Sequence, residues 1–156
     1  MKGNDGSGNN ISRDDWETPQ WLFDKLNYQY EFDFDCCASE DNQKCDQYST
    51  DFKQWDINHF NNHICWMNPP FSKSKEMFTH FFKVVKKGVT IYRCDNLETA
   101  LWQEIIFPKA DWILIPKGRI SYEGKEGKGS RFPSALIGIG LEPPENITGH
   151  ILKIVR

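Results

Sequence analysis

The apolar run Ile64-Cys65-Trp66-Met67 stops at Asn68-Pro69-Pro70-Phe71, and the residues after it are apolar at helical spacing. This order constrains the fold more than any other part of the chain. The run has the length of a buried strand. Ser72 or Ser74 can cap the following helix, whose apolar stripe is Met77, Phe78, Phe81, Phe82, Val84 and Val85. Lys86 and Lys87 fall in its last turn, and Gly88 reads as its terminator. Val89 to Tyr92 is then a second strand, so Ile64 to Tyr92 forms one βαβ unit. The Asn-Pro-Pro-Phe turn sits at the first strand's C-terminal end, on the rim where open α/β sheets bind ligands.

The chemistry of that turn is specific. Each proline restricts its own φ and pushes the preceding residue into an extended conformation, so the turn is stiff. A stiff turn can aim the Asn68 carboxamide oxygen and the Pro69 carbonyl the same way, as two fixed acceptors for both hydrogens of one NH2 group. An amine on a heteroaromatic base is a poor nucleophile, and accepting both hydrogens favours a pyramidal nitrogen whose lone pair faces an electrophile. The Phe71 ring can stack on the base. Taken alone, Asn-Pro-Pro is equally a plain turn signal.

Upstream, Thr18 reads as an N-cap with Pro19 at the first helical position, opening a short helix with Trp21, Leu22, Lys25 and Leu26 that stops near Asn27. Tyr30 to Cys36 alternates like a strand, with Asp35 at its end and a turn of small residues after it. Downstream, Asp95 or Asn96 caps a helix carrying Leu97, Leu101, Ile105 and Ile106, ended by Pro108. Trp112 to Pro116, Ser134 to Ile139 and Ile151 to Val155 are further strands.

These motifs together resemble the phage-type DNA adenine-N6 methyltransferases. Asn68-Pro69-Pro70-Phe71 is similar to their Asp/Asn/Ser-Pro-Pro-aromatic motif, and Trp16 to Phe23 to the Thr-Pro motif before the cofactor strand. Asp35, Cys36, Cys37, Ala38 and Ser39 resemble their D-x-x-A-S stretch, although the Gly-x-Gly of the wider superfamily is absent. Arg119 to Tyr122 resembles their G-R-x-x-F segment. The matches run in order from about Trp16 to Ile139. The resemblance implies a compact Rossmann-like class I methyltransferase fold with a mostly parallel sheet and no separate target-recognition domain. It implies transfer of the methyl group of S-adenosylmethionine to the N6 amine of adenine in DNA, flipped into the Asn-Pro-Pro-Phe pocket, in a phage or prophage setting and the cytoplasm of a bacterial host. It assigns catalysis to Asn68, Pro69, Pro70 and Phe71. The cofactor falls to Trp16, Thr18, Pro19, Asp35, Cys36, Cys37 and Ala38, with Asp51 or Asp56 on the ribose; Asp56 fits better the usual spacing of about 20 residues past the first strand. RNA adenine and protein glutamine are alternative targets, as is an inactive cofactor fold that only binds DNA.

Charge is divided along the chain. Residues 1–60 hold 5 Lys+Arg and 13 Asp+Glu, a net of −8, and residues 61–156 hold 14 and 9, a net of +5. An acidic half suits a sulfonium and a basic half suits phosphates, although solvated faces would give the same counts. Lys117 to Arg131 is densest in positive charge, with five cations, two acids and four glycines. DNA contacts are expected from Lys117, Arg119, Lys125, Lys128 and Arg131, and from Lys73 beside the turn. Residues 1–13 read as a flexible tail and 14–156 as a single domain. No apolar run reaches membrane-spanning length. The five cysteines read as reduced thiols; a zinc site from Cys36 or Cys37, Cys45 and Cys65 lacks the paired C-x2-C spacing, so no metal is expected.

Overall fold

The computed structural model describes residues 2–4, 10–12, 16–123 and 130–154. Among these residues six strands form one sheet: β3 (Phe34–Asp35), β4 (Ile64–Met67), β5 (Lys87–Arg93), β6 (Trp112–Pro116), β9 (Ser134–Ile139) and β10 (Gly149–Lys153), in the order β10-β6-β9-β5-β4-β3. The small antiparallel pair β1 (Lys2–Asn4) and β2 (Asn10–Ser12) lies within the stretch read as a tail. A second pair, β7 (Ile120–Tyr122) and β8 (Ser130–Phe132), forms an arm between β6 and β9.

The βαβ unit is present: β4 and β5 pair in parallel and helix α2 (Ser74–Val84) connects them. Met77, Phe78, Phe81 and Val84 are the buried stripe of α2, one residue per turn or neighbouring turn, as a helix against a sheet requires. Gly88 does not terminate this helix. It lies inside β5, where a Cβ would come within 2.9 Å of both the Cys65 carbonyl oxygen and the Phe81 ring, so glycine permits the close approach of strand and helix.

The sheet is not mostly parallel. Only the ladders β3·β4 and β4·β5 are parallel; β5·β9, β6·β9 and β10·β6 are antiparallel. The cause is topological. After β6 the chain turns back through the β7–β8 arm and inserts β9 between β5 and β6, which separates two strands of like direction. β3, β4, β5 and β6 all point one way, so their C-terminal ends share one rim. The arm starts and finishes on that rim.

Helix α1 (Gln20–Tyr30) starts later than the Thr18-Pro19 signal and runs past Asn27. Leu22, Phe23, Leu26 and Tyr30 are its buried face. Glu31 adopts the left-handed conformation (φ 56°) and donates its N–H to the Asn27 carbonyl, closing the helix without a glycine. Tyr30 therefore belongs to the helix and not to a strand, and its hydroxyl donates to the Glu142 carbonyl at 2.6 Å. The expected helix after Asp95 is a π-helical turn, Leu101–Ile106, continuing into α3 (Phe107–Lys109). Pro108 falls inside this continuous stretch, one residue before its end, and does not terminate it. Trp102 and Trp112 fill the core here, and Gly138 makes room for the Trp112 indole.

Candidate active site

Strand β4 delivers Asn68 to the rim. Its Nδ2 donates to the main-chain carbonyl of Trp16 at 3.1 Å. Because that carbonyl can only accept, it fixes which way the carboxamide faces. The other end, Oδ1, is buried and among the described residues has no hydrogen-bond partner. A buried unsatisfied acceptor on a stiff turn is costly unless a ligand completes it. Pro70 is extended (φ −62°, ψ 131°), and its carbonyl accepts from Lys73 as the chain tightens into the 3-10 turn Phe71–Lys73.

Asn68 lines a pocket of about 330 Å³. Its other walls come from Trp16, Glu17 and Thr18 before α1, from Asp35, Cys36, Cys37 and Ala38 after β3, and from Asp51 and Phe52; Trp66, Pro70, Lys73 and Met77 lie on the β4–α2 side. Thr18 is buried, and its Oγ1 likewise has no partner among the described residues, so it is not a helix cap. Thr18 and Asn68, each with an orphaned buried oxygen, thus line one cavity.

Asp35 organises the wall after β3. It is 3% exposed. Its Oδ1 accepts from the Cys37 N–H (3.3 Å) and its Oδ2 from the Lys44 N–H (3.0 Å). Burial pushes its carboxyl up to about 7, against the opposing pull of those two N–H groups and the Lys44 charge. Cys36 donates its N–H to the Trp66 carbonyl and Ala38 donates to Ser49, so the turn is tied to β4 on one side and to the 48–50 segment on the other.

Several residues expected at the site lie off this pocket. Pro19 is not part of its lining; its carbonyl accepts the N–H groups of Leu22 and Phe23. Asp56 is exposed, and its carboxylate accepts from Asn58 and His59 to close a turn, whereas Asp51 does line the pocket. Spacing favoured Asp56, but the crossover from β3 to β4 carries no regular helix and brings Asp51 to this pocket. Pro69 is buried beside the lining. Phe71 is only 8% exposed, its ring set edge-on to Tyr92 (5.5 Å), Phe132 (5.7 Å) and Tyr122 (6.4 Å). That ring packs against the base of the arm and is largely enclosed. Ser39, the last residue of the D-x-x-A-S stretch, lines the pocket too, and Lys44, Asn42 and Thr50 line it without having carried a sequence signal.

The arm reaches the pocket through main-chain pairing, since Glu17 and Glu123 exchange hydrogen bonds in both directions. Lys117, Arg119 and Arg131 are exposed on it, and Arg131 Nε donates to Ser121 Oγ at 3.1 Å. Lys125 and Lys128 lie outside the described residues. Beside the arm, the Arg93 guanidinium rests 4.8 Å from the Phe132 ring centre and is paired with Asp95.

Among the described residues no cluster of three or more His, Cys, Asp and Glu is arranged to hold a metal ion, and no helix is long and apolar enough to cross a membrane. The Cys36 thiol meets that of Cys65, and burial pushes it well above its usual value.

Residues 7–135 match the family described as DNA N-6-adenine-methyltransferase (Dam). A DNA N-6-adenine-methyltransferase of Haemophilus phage HP1 (strain HP1c1) is 36% identical over 62 residues, which cover 38% of this chain and 36% of the phage protein. The aligned stretch is thus little more than a third of that relative's length.

Proposed function

Because this chain belongs to the DNA N-6-adenine-methyltransferase (Dam) family, we propose that it transfers a methyl group from S-adenosylmethionine to the N6 amine of adenine in DNA. The observation that carries this reading is the Asn68 carboxamide, held by the Trp16 carbonyl with its own oxygen buried and unpartnered at the pocket. The donor, when bound, supplies an electrophilic methyl group on a sulfonium.

The chain's own residues do the rest. Asn68 Oδ1 accepts one hydrogen of the adenine amine and the Pro69 carbonyl the other, aligning the nitrogen lone pair with the methyl group. Alignment of this kind accounts for much of the rate, and no strong base is required. Thr18 Oγ1 accepts a hydrogen from the donor, and Asp35 and Asp51 offset its positive charge. The shared rim of β3, β4, β5 and β6 is the part of the sheet equated with a class I methyltransferase fold. Stacked adenine cannot enter, so the base leaves the duplex, and the cations of the arm hold the flanking phosphates.

The test is incubation with S-adenosylmethionine and unmodified DNA, followed by mass analysis of the nucleosides. N6-methyladenine is expected, and Asn68→Ala should lower its rate of formation by roughly a hundredfold or more while donor affinity stays nearly constant. No methyladenine on any DNA would overturn the activity. Near-normal turnover in the variant would remove Asn68 from the chemistry.

A further inference from the structure

Lys44 is a pocket residue held at both ends by bonds that have nothing to do with packing. Its main-chain N–H donates to Asp35 Oδ2 at 3.0 Å, which pins its loop to the end of β3. Its Nζ donates to Gln20 Oε1 at 2.8 Å. The orientation of Gln20 is itself determined, because Gln20 Nε2 donates to Asp24 Oδ1 at 2.8 Å and a carboxylate can only accept. The chain Asp24-Gln20-Lys44 therefore leads from the exposed side of α1 into the pocket wall.

This arrangement fixes a cation without neutralising it. An ammonium has three donors, and Gln20, an uncharged partner, takes one. Both oxygens of Asp35 are occupied by main-chain N–H groups. Among the described residues no carboxylate lies within ion-pair distance of the Lys44 ammonium. A lysine whose main chain is pinned to Asp35 and whose ammonium meets one uncharged, exposed partner has two further donors to offer an anionic oxygen.

Resting on the methyl-donor reading above, we propose that Lys44 binds the carboxylate of the methionine end of S-adenosylmethionine, with Gln20 as its positioning residue. The donor is a cation at sulfur and at its amine but carries one carboxylate. The pocket has the matching inventory: Glu17, Asp35 and Asp51 for the positive groups, Lys44 for the negative one. Gln20 lies two positions after Thr18, which lines the same pocket as Lys44. Lys73, the other lysine of the lining, follows the Asn-Pro-Pro-Phe turn and so belongs to the adenine side.

The test compares calorimetric dissociation constants for S-adenosylmethionine and for decarboxylated S-adenosylmethionine, which keeps the sulfonium and amine and lacks only the carboxylate. The wild-type protein should prefer the intact donor by about tenfold, the size of one charge-assisted hydrogen bond at a half-buried site. Lys44→Ala should abolish that preference and leave the affinity for the decarboxylated ligand within about twofold, which also reports that the pocket is intact. Lys44→Arg should keep most of the preference, and Gln20→Leu should reduce it. Equal weakening of both ligands by Lys44→Ala, or an unaltered preference, would overturn the role of Lys44 while leaving the methyltransferase reading standing. Failure of the wild-type protein to bind either ligand would overturn both.

Discussion

Glu17 and Glu123 exchange main-chain hydrogen bonds, Glu17 donating at 2.7 Å and Glu123 at 2.9 Å, and so join the β7–β8 arm to the segment whose Trp16 carbonyl orients Asn68. Phe132 of the arm meets the Trp16 ring at 6.3 Å and strengthens the same junction. In the proposed function, DNA held by the arm would be registered against the Asn68 carboxamide through Trp16, one residue before Glu17. Glu123→Pro removes one of the two donors. With a net cost of about 1 kcal/mol for one hydrogen bond, turnover on DNA should fall roughly fivefold, more than donor affinity does. Steady-state kinetics beside calorimetry would measure the split, and unchanged turnover would show that the bridge does not set the register.

The Trp16 carbonyl also dictates which residues can stand at position 68. In Asn68→Asp the carbonyl would face a carboxylate oxygen where it now accepts from Nδ2, so the ionised variant is repelled from the productive orientation. Protonation restores a donor toward Trp16 and leaves the second oxygen to accept the amine. Turnover of this variant should therefore rise as pH falls, opposite in direction to any loss the wild-type protein shows. A pH-rate profile that runs parallel for the two proteins would refute the orienting role of Trp16.

Strands β4 and β6 were legible because each is a continuous apolar run bounded by polar residues or proline, a pattern that local chemistry alone produces. The order of the sheet was not. Nothing in Ser134 to Ile139 signals that it inserts between two strands of like direction; that follows from the arm folding back, a tertiary event. Gly88 and Thr18 misled for the same reason, since a glycine after a helix and a threonine before one are usual end signals, while here Cys65 and Phe81 crowd the first and the pocket buries the second. Asn68, Thr18 and Asp35 could be read from motifs and do meet at one cavity. Lys44 could not, because its place depends on Gln20, 24 positions earlier.

Phe71 offers a separation of packing from recognition. Its ring is enclosed by three aromatic neighbours, so Phe71→Ala should cost on the order of 3 kcal/mol or more of unfolding free energy. Phe71→Leu preserves most of the volume and should cost less than about 1.5 kcal/mol. If the leucine variant is stable and binds DNA as the wild type does, the residue supports the arm. A stable leucine variant with DNA affinity reduced tenfold would instead return the ring to base stacking.

Asp35 gives the protein a pH signature whose sign is unusual for a carboxylate. Its carboxyl is raised from 3.8 to about 7, mainly by burial. Between those values the folded chain holds a proton that the unfolded chain has released, so this group's contribution to stability declines as pH rises and levels off above about 7. The slope cannot exceed about 1.4 kcal/mol per pH unit. Asp35→Asn should flatten that part of the stability curve in urea titrations between pH 4.5 and 7.5. In the proposed function the same ionisation supplies negative charge to a cationic donor, so wild-type affinity for S-adenosylmethionine should rise from pH 6 to pH 8 and that of Asp35→Asn should not.

The arm's cations divide by position. Lys117 and Arg131 are exposed, and their expected partners are phosphates, which contribute affinity without sequence readout. Replacing both with alanine should weaken DNA binding to a similar degree across sequences and lower the slope of log affinity against log salt by roughly 0.9 for each phosphate left without its cation. Arg119 stands next to β7, near Asp95, whose carboxyl is held below its usual value chiefly by the Arg93 hydrogen bond with the Arg119 charge adding to it, on the side of the arm where Arg93 packs on Phe132. Its removal should therefore depress turnover more than affinity. Filter-binding at several salt concentrations, paired with single-turnover rates, separates the two effects. A double variant with an unaltered salt slope would make the exposed face of the arm solvent-facing, and the phosphate contacts would then fall to Lys73, on the lip of the pocket itself.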